Sequence, residues 1–162
     1  MVPSETVIRS AQGEDTDLIH TLICELAEYE KLKDKVVCTP AILRSEIFEK
    51  NGAEVLIAEC EGCAVGFALF FHNFSTFEGR RGIYMEDLFV RPQYRGRGIG
   101  KALIARVAAL AVSRGCARFE WACLDWNAPS IEFYRSLGAV PMDEWTVYRL
   151  EGNALRCLAK EA

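Results

Sequence analysis

Residues 86–102 read Glu86-Asp87-Leu88-Phe89-Val90-Arg91-Pro92-Gln93-Tyr94-Arg95-Gly96-Arg97-Gly98-Ile99-Gly100-Lys101-Ala102, an apolar strand running into a glycine-rich, doubly basic turn and then a helix. Such a turn suits an anion. Gly96, Gly98 and Gly100 carry no Cβ, so a phosphate can reach the backbone, and the unpaired N–H groups of the first helical turn favour negative charge. Arg95 and Arg97 add mobile positive charge beside it. The spacing matches neither of the two commonest phosphate loops. Arg95 and Ala102 stand where a Walker A loop requires a glycine and a hydroxyl residue, and the three glycines alternate instead of following G-x-G-x-x-G. A flexible basic turn with no ligand is the competing reading of the spacing alone.

Outward from this stretch, Ile83–Val90 reads as a strand closed by Pro92. Ile99–Arg114 reads as a helix with Ile99, Leu103, Val107, Leu110 and Ala111 on one face, Ile104, Ala108 and Val112 beside them, and Gly115 as its stop. Phe119–Leu124 is the next strand. The three elements form a crossover unit, so its strands are expected to be parallel and its connection right-handed, with the glycine turn at the carboxyl end of a strand.

Upstream, Thr6–Arg9 starts a strand, and Glu14–Lys31 places Leu18, Leu22, Leu26 and Tyr29 at helical spacing. Thr39-Pro40 opens a second helix, with Ile42, Leu43, Ile47 and Phe48 as its buried side, and Asn51-Gly52 ends it. Val55–Ala58 and Ala64–Phe71 are two strands joined by a tight turn at Glu61-Gly62, while His72–Gly82 reads as a loop or irregular hairpin. Downstream, Asn127 caps a short helix through Leu137, and Trp145–Leu150 reads as a late strand. The order β-α-α-β-β-β-α-β-α-β predicts one α/β domain over residues 1–162, with a mixed, mostly antiparallel sheet and helices on both faces.

The chain has 162 residues, a net charge of −4 and 51% hydrophobic residues. This suits one domain with a substantial core, and it makes the basic turn a local feature of an acidic protein that tolerates a cationic substrate and not a nucleic acid. No apolar run reaches the length of a membrane span, and Met1–Ser10 lacks signal-peptide character, so a cytoplasmic protein without membrane partners is expected. Seven scattered cysteines, an odd number, suit reduced thiols. Cys60 and Cys63 have the spacing of half a zinc site, but a second pair is missing, so a hairpin with two incidental cysteines and no metal is expected.

With these residues placed, the chain resembles the GNAT superfamily of acetyl-CoA-dependent N-acetyltransferases, whose motif Arg/Gln-x-x-Gly-x-Gly/Ala is met by Arg95, Gly98 and Gly100. Tyr84–Val90, the turn itself, Asp125-Trp126-Asn127 through Phe133-Tyr134, Ser75-Thr76-Phe77 and Glu28-Tyr29-Glu30 are similar to the diamine acetyltransferase branch, which includes spermidine/spermine and thialysine enzymes. The resemblance implies a GNAT-like fold and acetyl-CoA as cosubstrate. Its pantetheine arm would lie between splayed strands, pairing with backbone at Leu88 and Val90 on either side of Phe89. Its pyrophosphate would sit on Gly96, Arg97, Gly98, Ile99, Gly100 and Lys101, and Arg95, Asn127 and Ser130 would also bind the cofactor. A small cationic amine would meet Tyr29, Glu30, Glu86 and Asp87, and a homodimer is implied.

Attack on a thioester needs a neutral amine, yet an alkylamine with a pKa near ~10.4 is only about one part in a thousand neutral at pH 7. Glu86 is the first candidate to accept its proton, directly or through water, and Asp87 the second. In a regular strand these two residues face opposite sides, so one pocket can use both only if the strand bulges or the site reaches around its edge. The competing reading pairs them with Arg80 or Arg81. Tyr134 corresponds to the family's general acid for the departing thiolate, and Asn127, Ser130 and Tyr134 form a polar stripe on one helix face; a half-buried structural tyrosine is the alternative. The amide near Leu88 would stabilise the oxyanion. A cysteine nucleophile would require a histidine brought close in space. A coenzyme A-binding regulatory module with little turnover is the alternative to an enzyme.

Overall fold

A computed structural model describes residues 6–162. The chain forms two compact units, one ending at Ala122 and one spanning Cys123–Ala162. The first holds a five-stranded sheet in the order β1 (Thr6–Ser10), β2 (Glu54–Cys60), β3 (Cys63–Ser75), β4 (Arg80–Val90) and β5 (Phe119–Trp121). Neighbours from β1 to β4 are antiparallel, and β5 runs parallel to β4 after the crossover through α3 (Ile99–Ser113). This is the mixed α/β sheet that the element order implies.

Both faces of the sheet are covered, because Val55–Ala58 and Val65–Ala68 are buried at consecutive positions and not at alternate ones. Val55, Ile57, Phe67 and Phe89 face α1 (Thr16–Tyr29), meeting Ile19, Leu22 and Leu26 in one cluster with Ile47. The alternate residues point the other way, toward α3, which packs across β1–β4 and buries Ile99, Leu103, Ile104, Val107 and Ala111. Each side chain of this size contributes about 1.5–3 kcal/mol on full burial. The turn at Glu61-Gly62 has φ of 52° and 76°, the two left-handed residues of a type I′ hairpin.

Four expectations change. The first is one of boundary: of the loop or irregular hairpin read over His72–Gly82 the structure has the hairpin, with β3 running to Ser75 and β4 starting at Arg80, and His72 Nδ1 donating to Gly82 O at 2.8 Å and Asn73 Nδ2 to Glu120 Oε2 at 3.0 Å. Polar side chains with partners sit in a strand as readily as apolar ones. The second helix is α-helical only over α2 (Pro40–Leu43) and continues as a π-helix over Arg44–Glu49, leaving Ile42 half exposed. β5 is shorter than the apolar run it occupies, pairing with β4 only from Phe119 to Trp121.

The fourth change concerns the second unit, where Trp145–Leu150 forms no strand. This unit comprises α4 (Ala128–Ser136), α5 (Gly152–Leu158) and a short 3₁₀ turn, and a strand needs a neighbour to complete its backbone hydrogen bonds. No strand is present within the unit, and Trp145, Val147 and Tyr148 are exposed.

At Gly66, β3 lies tight against the backbone of β4. A Cβ there would meet Phe89 O at 2.5 Å and Val90 Cα at 3.2 Å, both backbone atoms. Gly66→Ala should therefore destabilise the protein by about 1–3 kcal/mol, measured by urea unfolding, through overpacking against a strand that cannot yield. An unchanged unfolding midpoint would show that the strands separate freely at this point.

Candidate active site

The register of β4 sets the site. Asp87 pairs with Leu69 and Met85 with Phe70, so Glu86 is the extra residue of a β-bulge. Glu86 keeps the face of Tyr84, and the bulge turns Asp87 onto that same face, where Leu69 and Phe89 pack toward α1. Both carboxylates thus serve one side of the sheet. α1 ends at Tyr29, with Glu30 at its C-cap.

Three acids converge there. Asp87 is half-buried, and its pKa is pushed up to about 7, by burial first and then by the negative charges of Glu86 and Glu30. Burial also raises Glu30. The Cys38 thiol is raised by burial first, then by the charge of Cys24 and last by that of Asp87. Glu86 is exposed. The alternative pairing with Arg80 or Arg81 does not occur: Arg81 Nη2 donates to Arg114 O at 3.5 Å, and among the described residues the ion pairs go to other acids.

Beyond the bulge β4 has an open edge. β5 pairs with it only over Ile83–Met85, so from Glu86 to Val90 no strand covers that side among the described residues. The glycine turn follows at once. Gly96 and Gly98 have φ of 74° and 79°, the left-handed region that glycine enters without strain, and Gly98 is the N-cap of α3 with no side chain to cap it. The N–H groups of Ile99, Gly100 and Lys101 therefore have no acceptor within the helix, while Ile99 anchors the turn with its side chain fully buried. A Cβ on Gly96 would meet nothing within 4 Å. These residues fit a pyrophosphate. Arg97 lies 5.3 Å from the Tyr94 ring, and Arg95 stacks 4.3 Å over Tyr29 while its Nε donates to Val90 O at 2.8 Å.

In the second unit Asn127 is buried and caps α4, its side-chain oxygen accepting from Ser130 N at 3.4 Å. Ser130 and Tyr134 are half-buried on that helix, and the Tyr134 ring lies 5.4 Å from Phe133.

The structure brings two histidines to cysteines and disarms both pairs. His72 Nδ1 lies 3.9 Å from Cys116 Sγ, but that nitrogen carries the proton donated to Gly82 O, and Nε2 faces Arg114 at 3.1 Å. Neither nitrogen is a base for the thiol. His20 Nε2 lies 3.8 Å from Cys24 Sγ and donates to Cys38 O at 3.1 Å, so it too is spent. The four-residue spacing of His20 and Cys24 is a helical signal that the sequence carried. The ion pair of Glu25 with Arg91 had none, its members being far apart along the chain. Among the described residues no three His, Cys, Asp or Glu side chains gather as a metal ion requires, and no helix is long and apolar enough to cross a membrane.

Residues 19–139 match the acetyltransferase (GNAT) family. The chain is 42% identical to the thialysine N-epsilon-acetyltransferase of Sus scrofa, over 96% of this chain and 98% of that one. It is 45% identical to the L-ornithine N5-acetyltransferase of Arabidopsis thaliana, over 94% and 87% of the two chains. A solved integron cassette protein from the mobile metagenome of V. cholerae superimposes with a TM-score of 0.81 at 32% identity, covering 96% of this chain and 98% of that chain.

The acid cluster has a stability signature. A carboxyl raised in the folded state binds its proton more tightly there than in the unfolded chain, so its contribution is full below ~3.9 and is lost as pH rises through about 7. Asp87→Asn keeps the shape without the charge. Its melting temperature should exceed that of the wild type at about pH 8, and the gap should shrink as pH falls toward about pH 5. A gap independent of pH would remove Asp87 from the titrating cluster.

Proposed function

The chain belongs to the acetyltransferase (GNAT) family, and on that premise we propose that it transfers an acetyl group from acetyl-CoA to a primary amine of a small cationic substrate, by direct attack in a ternary complex. The observation that carries this reading is the bulge that sets Glu86 and Asp87 on one face with Glu30. Three carboxylates attract an ammonium group, and a carboxyl near neutrality is matched to accepting its proton at physiological pH. Glu86 meets the amine, directly or through water, and Asp87 holds the proton. Glu30 and Tyr29 bind the substrate's remote end. The named relatives act on thialysine and ornithine, amino acids with an amine at the side-chain end, and that class is the expected substrate.

Acetyl-CoA supplies the activated acyl group. The residues expected to hold it are Leu88, Phe89 and Val90 along the open edge, Arg95–Lys101 at the pyrophosphate, and Asn127 and Ser130 on α4, with the Leu88 amide stabilising the oxyanion. Tyr134 protonates the departing thiolate, a role supported by its place on the Asn127–Ser130 stripe and by the family resemblance. The family match crosses the junction of the two units, which supports one catalytic domain over the whole chain. The enzyme is read as cytoplasmic and, from its branch resemblance, homodimeric.

Thioester consumption with ornithine, thialysine, a diamine and a neutral-tailed amine of similar length tests the reading. The cationic amines should be preferred, with added salt narrowing the preference; equal use of the neutral-tailed amine would sink cation selection. Tyr134→Phe should lower kcat by about 10² to 10⁴ with little change in acetyl-CoA affinity. In wild type, kcat/KM should rise with pH through about 7, and Asp87→Asn should abolish that step.

A further inference from the structure

Arg91 follows Val90 directly and commits its whole guanidinium to other elements. Nε and Nη2 donate to the two oxygens of Glu25 at 2.8 and 2.7 Å, and Nη1 donates to Ala64 O at 2.8 Å. Its backbone is tied as well, N–H to Val65 O at 2.9 Å and C=O from Tyr94 N at 2.9 Å. One residue therefore joins the end of β4, the start of β3, α1 and the turn that leads to the glycines. The side chains are 24% and 33% exposed, so the fork is partly shielded from water and geometrically specific. Glu25 stands one helical turn before Tyr29 and Glu30. The clamp grips the end of α1 that overhangs the acid cluster.

We infer that Arg91 is a positioning residue: its fork on Glu25 holds the last turn of α1 so that Glu30 stays opposite Asp87 at the amine site, without touching the reacting groups. This rests on the reading that those acids serve the amine. The groups facing Asp87 are Glu86 from its own strand, Glu30 from the end of α1 and Cys38 from the segment before α2. Of the two other carboxylates, Glu30 is the one whose helix the clamp grips. If Glu30 drifts away, a negative charge leaves Asp87, its proton is held less tightly, and the acid limb of kcat/KM moves to lower pH. A remote cation on the substrate loses its partner at the same time.

The test uses the full chain with acetyl-CoA and L-ornithine. Arg91→Lys keeps the charge and loses the fork. It should move the acid limb down by about half a pH unit and raise KM for ornithine about threefold or more, with KM for acetyl-CoA changed less than about twofold. Glu30→Gln should show the same two changes, and adding Arg91→Lys to it should move neither further. Glu25→Gln, which weakens the clamp from the other side, gives the same reading if Arg91→Lys folds poorly. Additive effects with Glu30→Gln, or a lower melting temperature with limb and KM unchanged, would overturn the inference and leave Arg91 a structural tie. If Asp87→Asn retains the acid limb, the proton assignment above fails, and additivity in KM alone then decides this inference.

Discussion

One extra residue in β4 governs the chemistry of this fold. Without the bulge at Glu86, strand alternation would send Glu86 and Asp87 to opposite faces; with it, both acids face α1. The same place divides the other edge of the strand, which is paired with β5 before the bulge and open after it. The bulge therefore gathers charge on a face and leaves backbone open on an edge within five residues. Like charges held together in a half-buried place oppose folding, and the proton that Asp87 retains near neutrality is how the fold relieves that opposition.

The basic turn lies at the end of the same strand, so one strand carries two of the acids and leads directly into the basic glycines. Arg95 is turned toward Tyr29 and Arg97 toward Tyr94, each cation resting on an aromatic face. The positive field at the glycines then comes from helix N–H groups, which are fixed by the backbone, and from arginines that can swing. Ile99 makes the fixed part possible, since its buried side chain holds the first helical turn against the sheet.

Much of this was legible in the sequence because it is local. The alternating glycines predict a turn with an accessible backbone, the spacing of Leu18, Leu22 and Leu26 predicts α1, and Glu61-Gly62 predicts a hairpin. A bulge at Glu86-Asp87 was one of two readings of these adjacent acids, the other being a site that reaches around the strand edge, and the register decides for the bulge. What escaped was set by partners remote in sequence. Trp145–Leu150 has the residue types of a strand, but strand formation belongs to the pair and not to the segment. His72 and Asn73 look like loop residues until Gly82 and Glu120 are beside them. The Arg91–Glu25 fork depends on two helix and strand ends meeting, and no spacing rule announces it.

At the proposed amine site the half-buried proton on Asp87 would make recognition a proton-linked equilibrium. A cation seated there would stabilise the ionised form of Asp87, so near pH 7 its binding would expel a fraction of a proton into solution. The observed heat of binding then contains the ionisation heat of whatever buffer takes that proton. Apparent affinity for that cation would tighten with rising pH across the neutral range. In that reading the acid pair would couple occupancy to protonation.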